Sequence, residues 1–136
     1  MSERNKATAR RYIEALNEEN LPAFDEILAP DFANHSPRLG IMNREATVHD
    51  FALIFKAFPD RHSAIADLIA EGDKVFLRTT VQGTHRDQVP GIPIDPSGKQ
   101  IAWTVWEVFR LADGRIVERW GIHDLKEQVE AAARTH

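Results

Sequence analysis

The feature that most constrains this chain is a change of hydrophobic period near residue 60. In the first segment Ala9, Tyr12, Ile13 and Leu16 fall at i, i+3, i+4 and i+7 while Arg10, Arg11 and Glu14 point elsewhere, the pattern of a helix with one apolar face. Asn20 is placed to cap a second, short helix with Pro22 in its first turn, with Phe24, Ile27 and Leu28 facing inward and Pro30 stopping it. After the irregular stretch DFANHSPRLG, Asn43 is a candidate cap for a third helix in which Val48, Phe51, Ala52 and Phe55 keep helical spacing until Pro59. From Ser63 onward the period is two, with strand-like segments near 63–71, 74–84, 99–112 and 115–123. Glu71-Gly72-Asp73-Lys74 and Ala112-Asp113-Gly114-Arg115 read as hairpin turns, so these strands are expected to form one antiparallel sheet.

Between the hairpins the Pro and Gly density of HRDQVPGIPIDPSG forbids a regular strand and marks a long loop, a candidate lid for a pocket. Asp124 followed by Glu127 resembles a capping box opening a last short helix with Leu125, Val129 and Ala132. Helices first and meander strands afterwards predict an α+β fold, a cone-shaped curved antiparallel sheet packed against N-terminal helices. The interior of such a cone is either filled by side chains or left as a pocket.

Composition narrows the function. At 136 residues the chain is expected to be one domain, 1–136, and with no cysteine it offers no disulfide, thiolate metal site or cysteine nucleophile. A net charge of −4 with interspersed signs gives no footprint for gripping nucleic acid. The opening MSERNKATARRYIEALNEEN has no apolar core of signal-peptide length, and no later run approaches a membrane span, so a cytoplasmic protein with no membrane or nucleic-acid partner is expected.

Polar residues on apolar faces point to chemistry. In KQIAWTVWEVFRL one face carries Ile101, Trp103, Val105, Glu107, Phe109 and Leu111, placing a carboxylate in an apolar row. Buried there, Glu107 would have its charged form disfavoured and could serve as general acid or base; the plain alternative is an ion pair with an arginine of the neighbouring strand, Arg78 being the obvious candidate. His123, His35 and His85 lie near element ends and could exchange protons near neutrality. The plain readings are that His35 and His85 anchor loop backbone and that Asp124, beside His123, only caps the last helix. No HxH or HExxH spacing predisposes a metal site, and no phosphate loop or GxSxG elbow is present, so cofactor-free acid–base chemistry is the expectation. Trp103 and Trp106 have opposite parity, so one is expected inside the cone and the other on an outer face that a second subunit would cover.

Three segments, RRYIEALNEENLPAFDEILAPDFANHSP, GTHRDQVPGIPIDPSGK and above all FRLADGRIVERWGIHDLKEQVEAA, give the chain a resemblance to the SnoaL-like polyketide cyclases. The last segment carries the family pattern F-R-[IL]-x-D-G-[KR]-I-x-E-x-W followed by a short helix. The resemblance covers nearly the whole chain. It places the chain in the superfamily named after nuclear transport factor two, with ketosteroid isomerase and scytalone dehydratase. It implies a hydrophobic pocket between concave sheet and helices, frequent homodimers and no cofactor. Family cyclases close a ring by aldol condensation, using an aspartate directly after that tryptophan; here the position is Gly121, and a pocket histidine of the preceding strand corresponds to Glu107.

Taken together, the sequence expects a cofactor-independent cyclase, isomerase, dehydratase or hydrolase acting on a small apolar molecule. Glu107 and His123 would be its acid–base pair, with Arg78 or His35 steadying negative charge. The ligand-facing set is expected to be Tyr12, Phe51, Phe55, Trp103, Arg119, Trp120 and Asp124. The competing expectations are a non-catalytic binding or dimerisation module and a cone filled by its own tryptophans.

Overall fold

The computed structural model describes residues 2–134. The helical period of the first segment produces α1, Ser2–Asn17, which buries Ala9, Tyr12, Ile13 and Ala15. A 3-10 turn over Leu21–Ala23 leads into α2, Phe24–Ile27. Asn20 makes no side-chain cap there; Pro22, with its fixed φ, starts the turn instead. The third helix, α3, spans Arg44–Ala57, and Asn43 does cap it, its side chain accepting from the Ala46 N–H at 2.8 Å. The chain ends in α4, Leu125–Arg134.

The strands are β1 (Leu28–Ser36), β2 (Gly40–Met42), β3 (His62–Glu71), β4 (Lys74–Thr84), β5 (Gln100–Ala112) and β6 (Arg115–His123). They form one curved sheet in the order β2-β1-β6-β5-β4-β3, open at β2 and β3 rather than closed into a barrel. Asp113 and Gly114 both take positive φ, 52° and 77°, as a two-residue hairpin turn requires, which sets Ala112 opposite Arg115; a register shift between Arg110 and Leu111 then places Glu107 opposite Gly121.

Two expectations are corrected. Leu28 belongs to a strand rather than to the second helix, and the stretch read as irregular, 31–40, holds most of β1 and the first residue of β2. The sheet is also mixed, because β1 runs parallel to β6 while the other pairs are antiparallel. Pro30 misled the reading because proline is usually excluded from strands. Here the β1–β6 pairing is irregular between Leu28 and Ala33, so its missing N–H interrupts no regular ladder.

Two apolar clusters fix the cone. One joins α1, α2 and the sheet through Tyr12, Phe24, Leu28, Leu77, Phe109 and Ile116; the other gathers Phe58, Val81, Val89, Ile92, Trp103, Leu125 and Val129. Removing a ring as buried as Phe24 or Phe109 would cost about 3–5 kcal/mol. Val89 and Ile92, in the Pro/Gly-rich loop, are themselves core residues, so this loop is a packed wall.

Candidate active site

Residues of one parity on β4, β5 and β6 point to the concave face of the sheet, where the helices leave a cavity of about 120 Å³. The sheet contributes Asn34, Thr79, Val81, Trp103, Val105, Glu107, Arg119 and His123; α1 contributes Tyr12, Ile13 and Leu16; α3 contributes Asp50, Phe51, Ile54 and Phe55. Arg38, Arg61 and Ser63 complete the polar part of the wall. An apolar cavity of roughly 150 Å³ takes a benzene ring, so this space is of the size for a small cyclic molecule.

The polar residues form two ion pairs. Glu107, 4 % exposed, accepts from Arg119 Nε at 2.6 Å, and Arg119 Nη1 donates to Asn34 Oδ1 at 2.9 Å. Burial opposes the charge on Arg119, but Glu107, Tyr12 and Asp50 together outweigh it and raise the guanidinium pKa above its usual value. The partner of Glu107 is therefore Arg119, two residues before Gly121 and on the same face, not Arg78. Arg78 lies on the other face of the sheet opposite Trp106 and pairs with Asp67 at 2.6 Å. The second pair joins Arg38 Nη2 to Asp50 Oδ2 at 2.6 Å, while Arg38 Nη1 donates to the carbonyl of Pro90.

What is left unpaired is equally informative. Asp50 Oδ1 and His123 Nδ1 are buried without a hydrogen-bond partner. Burial, reinforced by the charges of Arg38 and Arg119, lowers the His123 pKa to about 4, so the ring is neutral near pH 7. Burial, then Glu107, raise the Tyr12 pKa, so its hydroxyl stays protonated.

The structure thus brings together seven of the expected residues: Glu107, His123, Tyr12, Phe51, Phe55, Trp103 and Arg119. Four lie elsewhere. Arg78 is on the outer face. His35 stacks on Trp120 with ring centroids 5.3 Å apart and bonds Glu118 at 2.7 Å, so both rings sit on the outer face. Asp124 is tied to its neighbours: its carboxylate accepts from the Thr104 N–H at 2.7 Å and from Gln128 Nε2 at 3.2 Å, while its carbonyl accepts from the Gln128 N–H. His85, buried against Phe58 at 5.2 Å, also lies outside the cavity. Trp103 faces inward, whereas Trp106 and Trp120 line a shallow outer depression with Phe76, Val108 and Ile122. A cone filled by its own tryptophans is thereby set aside.

Sequence reasoning missed Asp50, Arg38, Asn34 and Arg61. Asp50 carried a signal: Thr47, Asp50, Phe51 and Ile54 run at i, i+3, i+4 and i+7, so a carboxylate stands in an inward row of α3 just as Glu107 does on β5. Among the described residues no group of three or more His, Asp or Glu side chains is placed to hold a metal ion, and no helix is long and apolar enough to cross a membrane.

A curved α+β sheet whose concave face holds a cavity bounded by paired charges defines a small-molecule scaffold of the cone type. The chain belongs to the SnoaL-like polyketide cyclases, whose family model matches residues 6–131. Among solved structures it is similar to IdmH from Streptomyces antibioticus, a proposed polyketide cyclase, with 28 % identity, a TM-score of 0.82 and coverage of 94 % of this chain and 96 % of that one. AclR from Streptomyces galilaeus, a proposed hydroxylase, shows 26 % identity, a TM-score of 0.85 and full coverage of both chains. A SnoaL-like protein from Jannaschia sp. CCS1, at 21 % identity, a TM-score of 0.87 and coverage of 99 % and 95 %, shares the fold. No curated protein sequence matches the chain. Family and neighbours together point to a catalytic fold.

Proposed function

We propose that this chain is a cofactor-independent cytoplasmic enzyme that moves a proton at carbon next to a carbonyl group in a small, largely apolar cyclic molecule. One observation carries the reading: Asp50 Oδ1 and His123 Nδ1, on residues lining one cavity, are buried and unpartnered. A buried polar atom left without a partner costs about 1–3 kcal/mol, a cost that a bound ligand would relieve. Arg38 holds Asp50 through Oδ2 and leaves Oδ1 as the free base. In this reading Asp50 takes the carbon-bound proton and the electron pair moves onto the carbonyl oxygen. Neutral His123 donates a hydrogen bond from Nδ1–H to that oxygen, and the guanidiniums of Arg38 and Arg119 favour its negative charge. In a substrate with an adjacent C=C bond, return of the proton to the far carbon is isomerisation; attack of the enolate carbon on a second carbonyl, whose oxygen then takes the proton from Asp50, is ring closure. Glu107 moves from acid–base residue to the group that fixes Arg119.

A positioned base contributes about 10²–10⁴-fold. Incubation with 1-indanone and 1-tetralone in D2O, followed by NMR, is expected to show loss of the protons next to the carbonyl faster than in buffer, with the excess rate falling at least about 10²-fold in Asp50→Asn. A second reading, a binding module with the same fold, is favoured by the direct Glu107–Arg119 pair and by Gly121 at the family's aspartate position. Ketones that bind without any exchange above the buffer rate would establish that reading and defeat the catalytic one.

A further inference from the structure

The cavity wall is electrically unbalanced. Arg38 is paired with Asp50 and Arg119 with Glu107, each at 2.6 Å, and His123 and Tyr12 are neutral near pH 7. The remaining charge is Arg61. Its Nη2 donates to the carbonyl of Leu16 in the last turn of α1, its Nη1 donates to Ser63 Oγ at 3.2 Å, and its Cζ lies 4.9 Å from the centre of the Phe55 ring. These contacts hold the guanidinium but supply no anion. Among the described residues none forms a salt bridge with Arg61, Glu19 acting on it only from beyond contact distance, and Arg61 Nε is buried without a partner. An arginine cannot shed its proton, so the wall carries one uncompensated positive charge next to aromatic surface.

We infer that the ligand of this cavity carries a single carboxylate, which pairs with Arg61 on the side of the cavity formed by α1 and β3 while its ring packs on Tyr12, Phe55 and Trp103. This deepens the proposed function, resting on the same cavity, and narrows its substrate from a neutral apolar molecule to a small cyclic acid. The chemistry is a charge-assisted hydrogen bond in a partly desolvated site, where a carboxylate gains most over a neutral isostere. The structural contacts of Arg61 would be satisfied equally well by any ligand. Discrimination between an acid and its amide therefore reports on the charge alone.

The test compares phenylacetate with phenylacetamide, and benzoate with benzamide, by quenching of tryptophan fluorescence and by NMR titration of the full chain. Wild type is expected to bind each acid at least about tenfold more tightly than its amide. Arg61→Gln is expected to bring each acid to within about twofold of its amide, with retained amide binding showing that the cavity is intact; Arg61→Lys should keep part of the preference. If Arg61→Gln does not fold, the wild-type ratio and Arg61→Lys decide. Equal binding of acid and amide by wild type, or a preference that persists in Arg61→Gln, overturns the inference and leaves the cavity reading standing. Binding of neither acid nor amide overturns both.

Discussion

Gly121 offers the sharpest test of how this site is built. A Cβ added there would lie 2.5 Å from Arg119 Nη2, 2.8 Å from Cζ and 3.1 Å from Nη1, so the guanidinium occupies the space that any other residue would need. Glycine 121 has no positive φ, and on backbone grounds alone replacing it with alanine should stabilise the strand by about 0.4–1 kcal/mol. The contact reverses that sign. Ordinary van der Waals spacing requires the guanidinium to retreat by about 1 Å. That movement stretches the bonds to Glu107 at 2.6 Å and to Asn34 at 2.9 Å, both buried. Overpacking of this kind costs about 1–3 kcal/mol, and loss of the charge-assisted bond falls in the same range. Gly121→Ala is therefore expected to destabilise the protein by about 1–3 kcal/mol in urea denaturation, with an unchanged m-value.

The control is a cycle in which Arg119→Ala is combined with Glu107→Gln, so that no buried carboxylate is left unpaired. In that background the obstruction is gone, and Gly121→Ala should be neutral or stabilising. A coupling below about 0.5 kcal/mol, or a stabilised Gly121→Ala single variant, would refute the claim that the missing side chain makes room for Arg119.

His123 makes stability depend on pH. Its folded pKa of about 4 lies below the unfolded value of about 6.5, so between these limits the unfolded chain binds the extra proton and stability falls as pH drops. The full gap corresponds to about 3 kcal/mol, reached near pH 4, and Asn at 123 should remove that part of the profile in urea melts at a series of pH values; superimposable profiles would show that the ring is not buried neutral. A homodimer formed through the outer face would cover Ile122, which is 64 % exposed beside Trp106 and Trp120. Sedimentation should show a dimer in wild type and a monomer in Ile122→Asp, whereas an unchanged mass in the variant would place any dimer contact elsewhere.

The fold was legible wherever burial follows one period. Tyr12 and Ile13 on α1, the alternation of β4 and β5, and the Asp113-Gly114 turn each state their structure locally. Segment β1 did not, because Pro30, Asn34 and His35 are poor strand formers whose placement is imposed by β6: Asn34 lies opposite Arg119 and His35 opposite Trp120, contacts more than eighty residues away. The inward set on β5 and β6 followed from parity, which is why Glu107, Trp103, Arg119 and His123 were found. Parity on one strand says nothing about which neighbour supplies the counter-charge. Arg78 and Arg119 both flank β5, and only the register, Arg78 opposite Trp106 and Glu107 opposite Gly121, separates the outer arginine from the inner one. Asp50 stood in a legible inward row of α3, but its pairing with Arg38 was out of reach, since it joins α3 to the segment between β1 and β2 and depends on a strand the sequence concealed.

Gly121 is best understood as one of four positions that act together in this structure. Glu107, Arg119, Asn34 and Gly121 are mutually dependent: the absent side chain admits the guanidinium, the guanidinium needs the carboxylate, and Asn34 holds the far nitrogen. An aspartate placed at 121 alone would bring its Cβ to 2.5 Å from Arg119 and set a second carboxylate beside a pair that is already neutral. It would disrupt the existing arrangement of Glu107, Arg119 and Asn34. The unpartnered atoms Asp50 Oδ1 and His123 Nδ1 belong to residues outside that group. The structure therefore separates a group of residues that fixes the shape and field of the cavity from the atoms left open to a ligand, and it is on the latter that a search for activity has to act.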